Sequence, residues 1–407
     1  MLNENTIEKL TERFGNRFSK YNEDVLKALG ETIKKFNGLS YSEAYALGQQ
    51  LKYNKTLNEL LQELSNISGK SIQDIQQLLI DVANKNIEFA DVFYKAKGLE
   101  TPIYSNNFAL QNLVKSISNV ATTDFINLAR TTGFKLLDSN GNPLLLNFQQ
   151  AYNEVIDRCV YSTLTGKDTF QNSIRNTIKQ LSNSGVRKIE YKSGYSKRLD
   201  SSVRQNVKDT IKQVTNESQL IFGQEFDSDG VEISVHMNPA PDHALVQGRQ
   251  FSNEEFKKFQ NNMVSKSYDG MIFSPEYNGN DRRSIGEYNC YHSIFSIVIG
   301  VSKPEYNASQ LQQIIDDNNK GVKIDDKEYS IYEVTQLQRQ LEAKIRQKKD
   351  TQIISRASGD KELASESQSK INDLTYKYNQ ISKIAKLPTK KDRLLVSGYH
   401  RISTKID

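Results

Sequence analysis

Apolar residues recur three and four positions apart through the first third of the chain, as in Leu57, Leu60, Leu61 and Leu64 and again in Ile75, Leu78, Leu79 and Val82. That spacing puts them on one face of a helix. From Thr6 to about Arg130 it predicts four or five amphipathic helices, with breaks at Asn37-Gly38, at Ser68-Gly69 and across Gly98-Leu99-Glu100-Thr101-Pro102, where turn formers interrupt the period. From Gly133 to Leu146 the turn residues Asp138-Ser139-Asn140-Gly141-Asn142-Pro143 lie between two short apolar stretches and predict a hairpin. Helices follow over Phe148 to Gly166 and Asp168 to Asn183, then a second hairpin turning at Ser193-Gly194. A long helix starts after Asp200, a plausible N-cap.

In that helix Val203, Val207, Ile211 and Val214 mark a packed side, while Arg204, Lys208 and Lys212 line the next stripe at spacings of four. Such a stripe is ordinarily a solvated face, and the alternative is contact with phosphate or a partner. From Val231 the period drops to two: Val231, Ile233 and Val235 alternate with Glu232, Ser234 and His236, the mark of a half-buried strand. A proline-rich loop, Asn238-Pro239-Ala240-Pro241, leads to Asp242-His243. A short helix is expected over Asn253 to Ser265, loop over Ser267 to Arg283, and strand from Tyr288-Asn289-Cys290-Tyr291-His292 into Ile294-Phe295-Ser296-Ile297-Val298-Ile299-Gly300. Beyond Pro304 the chain returns to helix, notably Tyr332 to Asp350. A polar interval at Ser355-Arg356-Ala357-Ser358-Gly359-Asp360 precedes a last helix to about Ile384 and a basic tail at Lys390-Lys391-Asp392-Arg393. The expectation is an α+β protein, predominantly α-helical. It divides into a helical stretch 1–130, a stretch 131–300 holding a small mixed module of short antiparallel strands, and a polar, basic helical stretch 301–407.

Composition agrees with extended helical parts. Of 407 residues only 37% are hydrophobic, Gly not counted, and 25% are charged, against roughly 45–50% apolar in compact domains when Gly is counted. The net charge of +5 is a small excess of 54 basic over 49 acidic residues, so nucleic-acid binding is permitted and not demanded. The two cysteines, Cys159 and Cys290, lie far apart and give no disulfide framework, which fits assembly in a reducing cytoplasm. No apolar run approaches the roughly 18 residues of a membrane span, and no membrane partner is expected.

Of four histidines, His236, His243 and His292 share one stretch with Cys290. A thiolate beside imidazoles is a set that zinc accepts, so these four are candidate ligands of a structural zinc ion. Two other readings stand beside it. The side chains could instead bond to backbone and hold an irregular loop, or a neighbouring histidine, His292 or His243, could activate a Cys290 nucleophile with Asp242 as orienter. No glycine-rich phosphate loop, Gly-x-Ser-x-Gly elbow or His-Glu-x-x-His helix occurs, and no enzyme activity is expected. The rival functions are a Cys/His-dependent hydrolase or nuclease, and a free nucleic-acid-binding protein using Arg204, Lys208, Lys212, Arg339 and Arg346.

The order Val231-Glu232-Ile233-Ser234-Val235-His236, Pro241-Asp242-His243-Ala244 with Gln247-Gly248, and Gly286-Glu287-Tyr288-Asn289-Cys290-Tyr291-His292 resembles the phage minor capsid protein 2 family. Ile174-Arg175, Ile189-Glu190-Tyr191-Lys192-Ser193-Gly194 and Ser201-Ser202-Val203-Arg204-Gln205-Asn206-Val207 resemble it too, and the likeness is strongest over 168–300. The His-loop-Cys block is also similar to that of Mu F-like head morphogenesis proteins. The resemblance implies a minor head component near the portal, inside the phage head or at the portal vertex, serving head morphogenesis and DNA packaging or delivery. Its implied partners are the portal protein, major capsid or scaffold proteins and packaged double-stranded DNA. Tyr291 stands where relatives are expected to carry a basic residue, so a role for that charge does not carry over. Some Mu F-like proteins carry toxin or enzyme domains after the shared block; the stretch beyond Gly300 is polar and helical, and no fused catalytic domain is expected in it.

Overall fold

The computed structural model describes residues 4–52, 55–164, 167–236, 238–286, 290 and 292–403. It is predominantly helical with small antiparallel sheets. The chain begins with α1 (Glu4–Lys34), α2 (Tyr41–Lys52) and α3 (Lys55–Ala96), followed by α4 (Phe108–Ile126) and the short α5 (Leu128–Thr131). The expected breaks at Gly38 and Gly98 are present, with φ of +79° and +69°, a conformation glycine adopts without strain. The break expected at Ser68-Gly69 is absent, because α3 runs straight through it. Ser68 and Ser71 are buried along with Leu64 and Ile75, so the buried stripe keeps its helical spacing across two polar residues and the glycine sits on open surface.

Both expected hairpins form, as β1 (Thr132–Leu137) with β2 (Pro143–Asn147) and β3 (Arg187–Glu190) with β4 (Tyr195–Arg198). They join into one antiparallel sheet of order β2-β1-β3-β4. Gly133 makes the close crossing possible, since a Cβ there would lie 2.0 Å from the Leu146 carbonyl oxygen. Between the hairpins stand α6 (Phe148–Ser162) and α7 (Lys167–Ser184). Asn147 and Gln150 form a reciprocal capping box at the start of α6. Its expected end at Gly166 lies outside the described residues. Next comes α8 (Leu199–Glu225), in which Asp200 lies in the first turn and is not the N-cap.

The strand expected from Val231 to His236 is β5 (Gly230–Ile233), which ends before Ser234, and it is the centre of a sheet of order β11-β5-β6 with β6 (Gln250–Ser252) and β11 (Ile294–Ile297). α9 (Pro241–Ala244) is a single turn, and α10 (Asn253–Gln260) is shorter than expected and capped by Ser252. Where only loop was expected, two ribbons occur: β7 (Ser265–Lys266) with β8 (Ile272–Phe273), and β9 (Glu276–Tyr277) with β10 (Asn280–Asp281). After β11 come α11 (Ala308–Asn319), the hairpin β12 (Val322–Ile324) and β13 (Lys327–Tyr329), α12 (Ile331–Ser358) and α13 (Lys361–Ile384). The polar interval expected from Ser355 is instead the end of α12. Ser355 and Ser358 are buried there, and their hydroxyls donate to the Thr351 and Ser355 carbonyls.

Two compact units result, and they do not follow the three consecutive stretches read from sequence. One comprises Met1–Thr11, Ile72–Thr122 and Gln205–Gln336, the other Glu12–Ser71, Thr123–Arg204 and Leu337–Asp407. The second holds the four-stranded sheet, and its core includes Phe14, Phe18, Tyr21, Phe134 and Phe148, with Phe14 and Phe18 stacked on Phe125. The first holds the β11-β5-β6 sheet over Val231, Ile233, Val246, Phe251, Phe256, Phe259, Phe273, Ile285 and Ile294. Each such side chain taken fully from water contributes about 1.5–3 kcal/mol, and this apolar cluster fixes the loops that carry the histidines.

Candidate metal centre

The C-terminal half of α8 places the loop before β11. Lys212 donates to the Cys290 carbonyl at 2.7 Å, Asn216 accepts from the Ile294 N–H at 3.1 Å, and Gln219 accepts from the Ser296 hydroxyl at 2.7 Å. These residues recur along one helix face and hold Cys290 and β11 in place. On the other side, α9 presents His243, and the turn that follows presents Gln247.

Three of the four predicted ligands converge. The donor atoms of His243, Cys290 and His292 all lie within 4.8 Å of one another. Cys290 Sγ is 3.7 Å from His243 Nδ1 and 3.5 Å from His292 Nδ1. His236 stands beside them, its ring centroid 4.3 Å from that of His292. Cys290 and His292 meet without the strand pleat expected for them, since β11 begins only at Ile294. Tyr291 and Glu287–Asn289, parts of that expectation, lie outside the described residues, as does Met237.

His292 is fully buried and His243 nearly so. Burial, reinforced by His236, His243, Lys212 and Arg283, holds the His292 imidazole well below its ordinary pKa and therefore neutral. Burial pushes the Cys290 thiol up, but hydrogen bonds from His243 and from the Gly286 and His292 backbone outweigh it, leaving the thiol below its ordinary value. Each imidazole has a fixed partner on its far nitrogen: His243 Nε2 lies 3.1 Å from the Arg283 carbonyl and His292 Nε2 3.3 Å from Gln247 Oε1. Gln247 Oε1 also accepts the His236 N–H at 3.2 Å. Sequence reasoning gave neither Gln247 nor Arg283 a role; the placement of Gln247 one helical turn beyond His243 was the available signal.

The arrangement bears on the nucleophile reading. Asp242, the expected orienter, is clamped by Arg283 through contacts of 2.8 and 2.5 Å, and its carboxylate stands 3.9 Å from His243 Nε2, beyond hydrogen-bond reach. Burial raises the Asp242 carboxyl, but Arg283 and His243 bring it below its ordinary value. The Arg283 carbonyl orients His243 instead.

The residues proposed for nucleic acid are placed differently from the expectation. Lys208 and Lys212 are buried, Lys208 lying 3.3 Å from Glu8 and Lys212 on the Cys290 carbonyl. Arg204 and Arg346 both bond to the buried Asp200 at 3.2 Å. The stripe is therefore neither the solvated face nor the open phosphate-contacting face that its spacing suggested, because its charges are used within the fold. Arg339 is exposed on α12.

Fold and site together define a predominantly helical α+β protein with a Cys/His-bearing antiparallel module. The sequence profile of phage minor capsid protein 2 matches residues 2–381, and the chain belongs to that family. Its role is accordingly structural, in the phage capsid, and its place is the virion. No curated protein and no solved structure matches the chain. Among the described residues, no helix is long and apolar enough to cross a membrane.

Proposed function

We propose that this protein is a minor head component at or near the portal vertex, which takes part in head morphogenesis and DNA packaging or delivery by binding the portal protein and the major capsid or scaffold proteins. The observation that carries this reading is the family match across nearly the whole chain, joined to the likeness of its His-loop-Cys block to Mu F-like head proteins. Exposed apolar side chains in the first compact unit support contact with other proteins. Val92, Ile103, Phe108 and Val120 are 58–76% exposed and are available for such contact. Contact with packaged DNA, if it is made through the residues singled out by sequence, falls to Arg339, since the other four are engaged internally.

The test is the phage that encodes the chain, with and without an amber mutation in its gene. The expected result is a chain present in purified heads at far fewer copies than the major capsid protein, cross-linked to portal protein, with mutant particles defective in assembly, DNA content or delivery. Mutant particles with normal yield, DNA content and infectivity would overturn the reading.

A further inference from the structure

We infer that His243, Cys290 and His292 form a binding site for a zinc-class divalent cation that ties α9, the Cys290 loop and the start of β11 together. The hydrogen-bond partners fix which nitrogens carry protons. A carbonyl oxygen only accepts, so His243 Nε2, 3.1 Å from the Arg283 carbonyl, carries its proton. Gln247 Oε1 receives the His236 N–H, which identifies that atom as oxygen, so His292 Nε2 beside it carries its proton as well. In neutral rings both Nδ1 atoms then present lone pairs, and both face the same sulfur.

A thiol has one proton and can answer only one of those lone pairs. Moving that proton to His243 makes an ion pair with the thiolate, yet still leaves His292 Nδ1 facing a sulfur lone pair in a fully buried position. Either state leaves an unmet buried acceptor, which disfavours it. A cation between the three atoms answers all of them at once.

Two of the three donor separations, those from sulfur to each nitrogen, match zinc, and the two nitrogens lie within 4.8 Å of one another. Bonds of about 2.3 Å to sulfur and about 2.05 Å to nitrogen at tetrahedral angles place those donors about 3.5–3.6 Å apart. The two sulfur-to-nitrogen distances are 3.5 and 3.7 Å. The outer hydrogen bonds from Nε2 to a carbonyl and to an amide oxygen are those that orient metal-bound histidines. Thiolate with imidazole selects zinc over the hard, oxygen-seeking cations. His236 lies outside the three-donor group and packs against one of its members, its ring centroid 4.3 Å from that of His292.

The experiment uses the full untagged chain, stripped of metal and titrated with Co2+ and then Zn2+, with variants Cys290→Ser, His292→Ala, His236→Ala and Gln247→Ala. The expected result is one equivalent of Co2+ with tetrahedral visible bands and a near-ultraviolet thiolate-to-cobalt band, displaced by one equivalent of Zn2+. Cys290→Ser loses the near-ultraviolet band, His292→Ala loses stoichiometric binding, and Gln247→Ala, which touches no metal, weakens zinc affinity about 10–100-fold. His236→Ala alters the visible bands. Cys159, whose thiol burial pushes up to about 12, contributes no charge-transfer signal. Folded wild-type chain that binds neither ion, or binds Co2+ without a thiolate band, overturns the inference, as does binding unchanged by the Cys290 and His292 substitutions. If ligand variants fail to fold, the wild-type spectrum and the Gln247→Ala affinity still decide.

Discussion

Replacing Asp200 by Asn tests whether the basic residues of α8 and α12 serve the fold. The Asp200 carboxylate is 2% exposed and receives Arg198 Nε at 3.3 Å, Arg204 Nη2 at 3.2 Å and Arg346 Nη1 at 3.2 Å. Arg198 also pairs with the fully buried Asp350, whose other oxygen accepts from Asn22 at 3.1 Å. Three guanidinium groups thus share two carboxylates. Burial raises the Asp200 carboxyl, but the attraction of Arg198, Arg346 and Arg204 prevails and holds it well below the ordinary carboxylate range. The amide keeps the shape, removes one charge and turns an NH2 group toward a cation. Removing one partner from such a buried network costs about 3–5 kcal/mol. At about 2–4 °C per kcal/mol for a unit of roughly this size, Tm falls by about 6–20 °C. Calorimetry and urea unfolding at pH 7 measure it, with exposed Arg339→Gln as a control expected within about 0.5 kcal/mol of wild type. An Asp200→Asn chain within about 1 kcal/mol of wild type refutes the network. Arg346→Gln extends the test. A residue used inside the fold lowers Tm and leaves the salt dependence of DNA binding unchanged, whereas a phosphate contact lowers the salt slope by about 1 and leaves Tm unchanged.

Two further outcomes are expected. Gly69→Ala stabilises the protein by about 0.5–1 kcal/mol in urea unfolding, because the glycine lies within α3 with open space where a methyl would go; destabilisation would place a break there after all. Burial works to raise the Glu23 carboxyl, but Lys27, Ser397 and Lys20 outweigh it and lower its pKa from 4.5 to about 2. A carboxylate whose folded pKa is depressed contributes stability above its unfolded value and loses it as pH falls through the folded one. Wild type should therefore exceed Glu23→Gln by about 1–2 kcal/mol at pH 6, after solvent screening of the half-exposed lysines, and the gap should close between pH 4.5 and 2; a gap independent of pH would remove the ion-pair explanation.

Local rules made much of the fold legible in the sequence alone. The three-and-four spacing located the helical region that holds α1 to α4, with the breaks at Gly38 and Gly98 but not the division between α2 and α3, and Asn140-Gly141 and Ser193-Gly194 located two hairpin turns, because such signals depend on the chain's own period and on residues that tolerate unusual φ. The scarcity of histidine and cysteine drew attention to His236, His243, Cys290 and His292, and the order of their flanking residues pointed to the family. Tertiary structure decided what local pattern does not encode. Whether Ser68-Gly69 or Ser355 to Ser358 ends a helix depended on a neighbouring surface that buries polar side chains and completes their hydrogen bonds. Whether Lys208, Lys212, Arg204 and Arg346 face solvent depended on the acidic and carbonyl partners brought to them from distant sequence, since a charge of fixed helical spacing is exposed or buried according to what packs against it. The convergence of His243 with Cys290 had the same origin: the apolar cluster around Phe251 and Phe259 folds the intervening residues away, and the carbonyl of Arg283 and the amide of Gln247 then turn both imidazoles toward one sulfur.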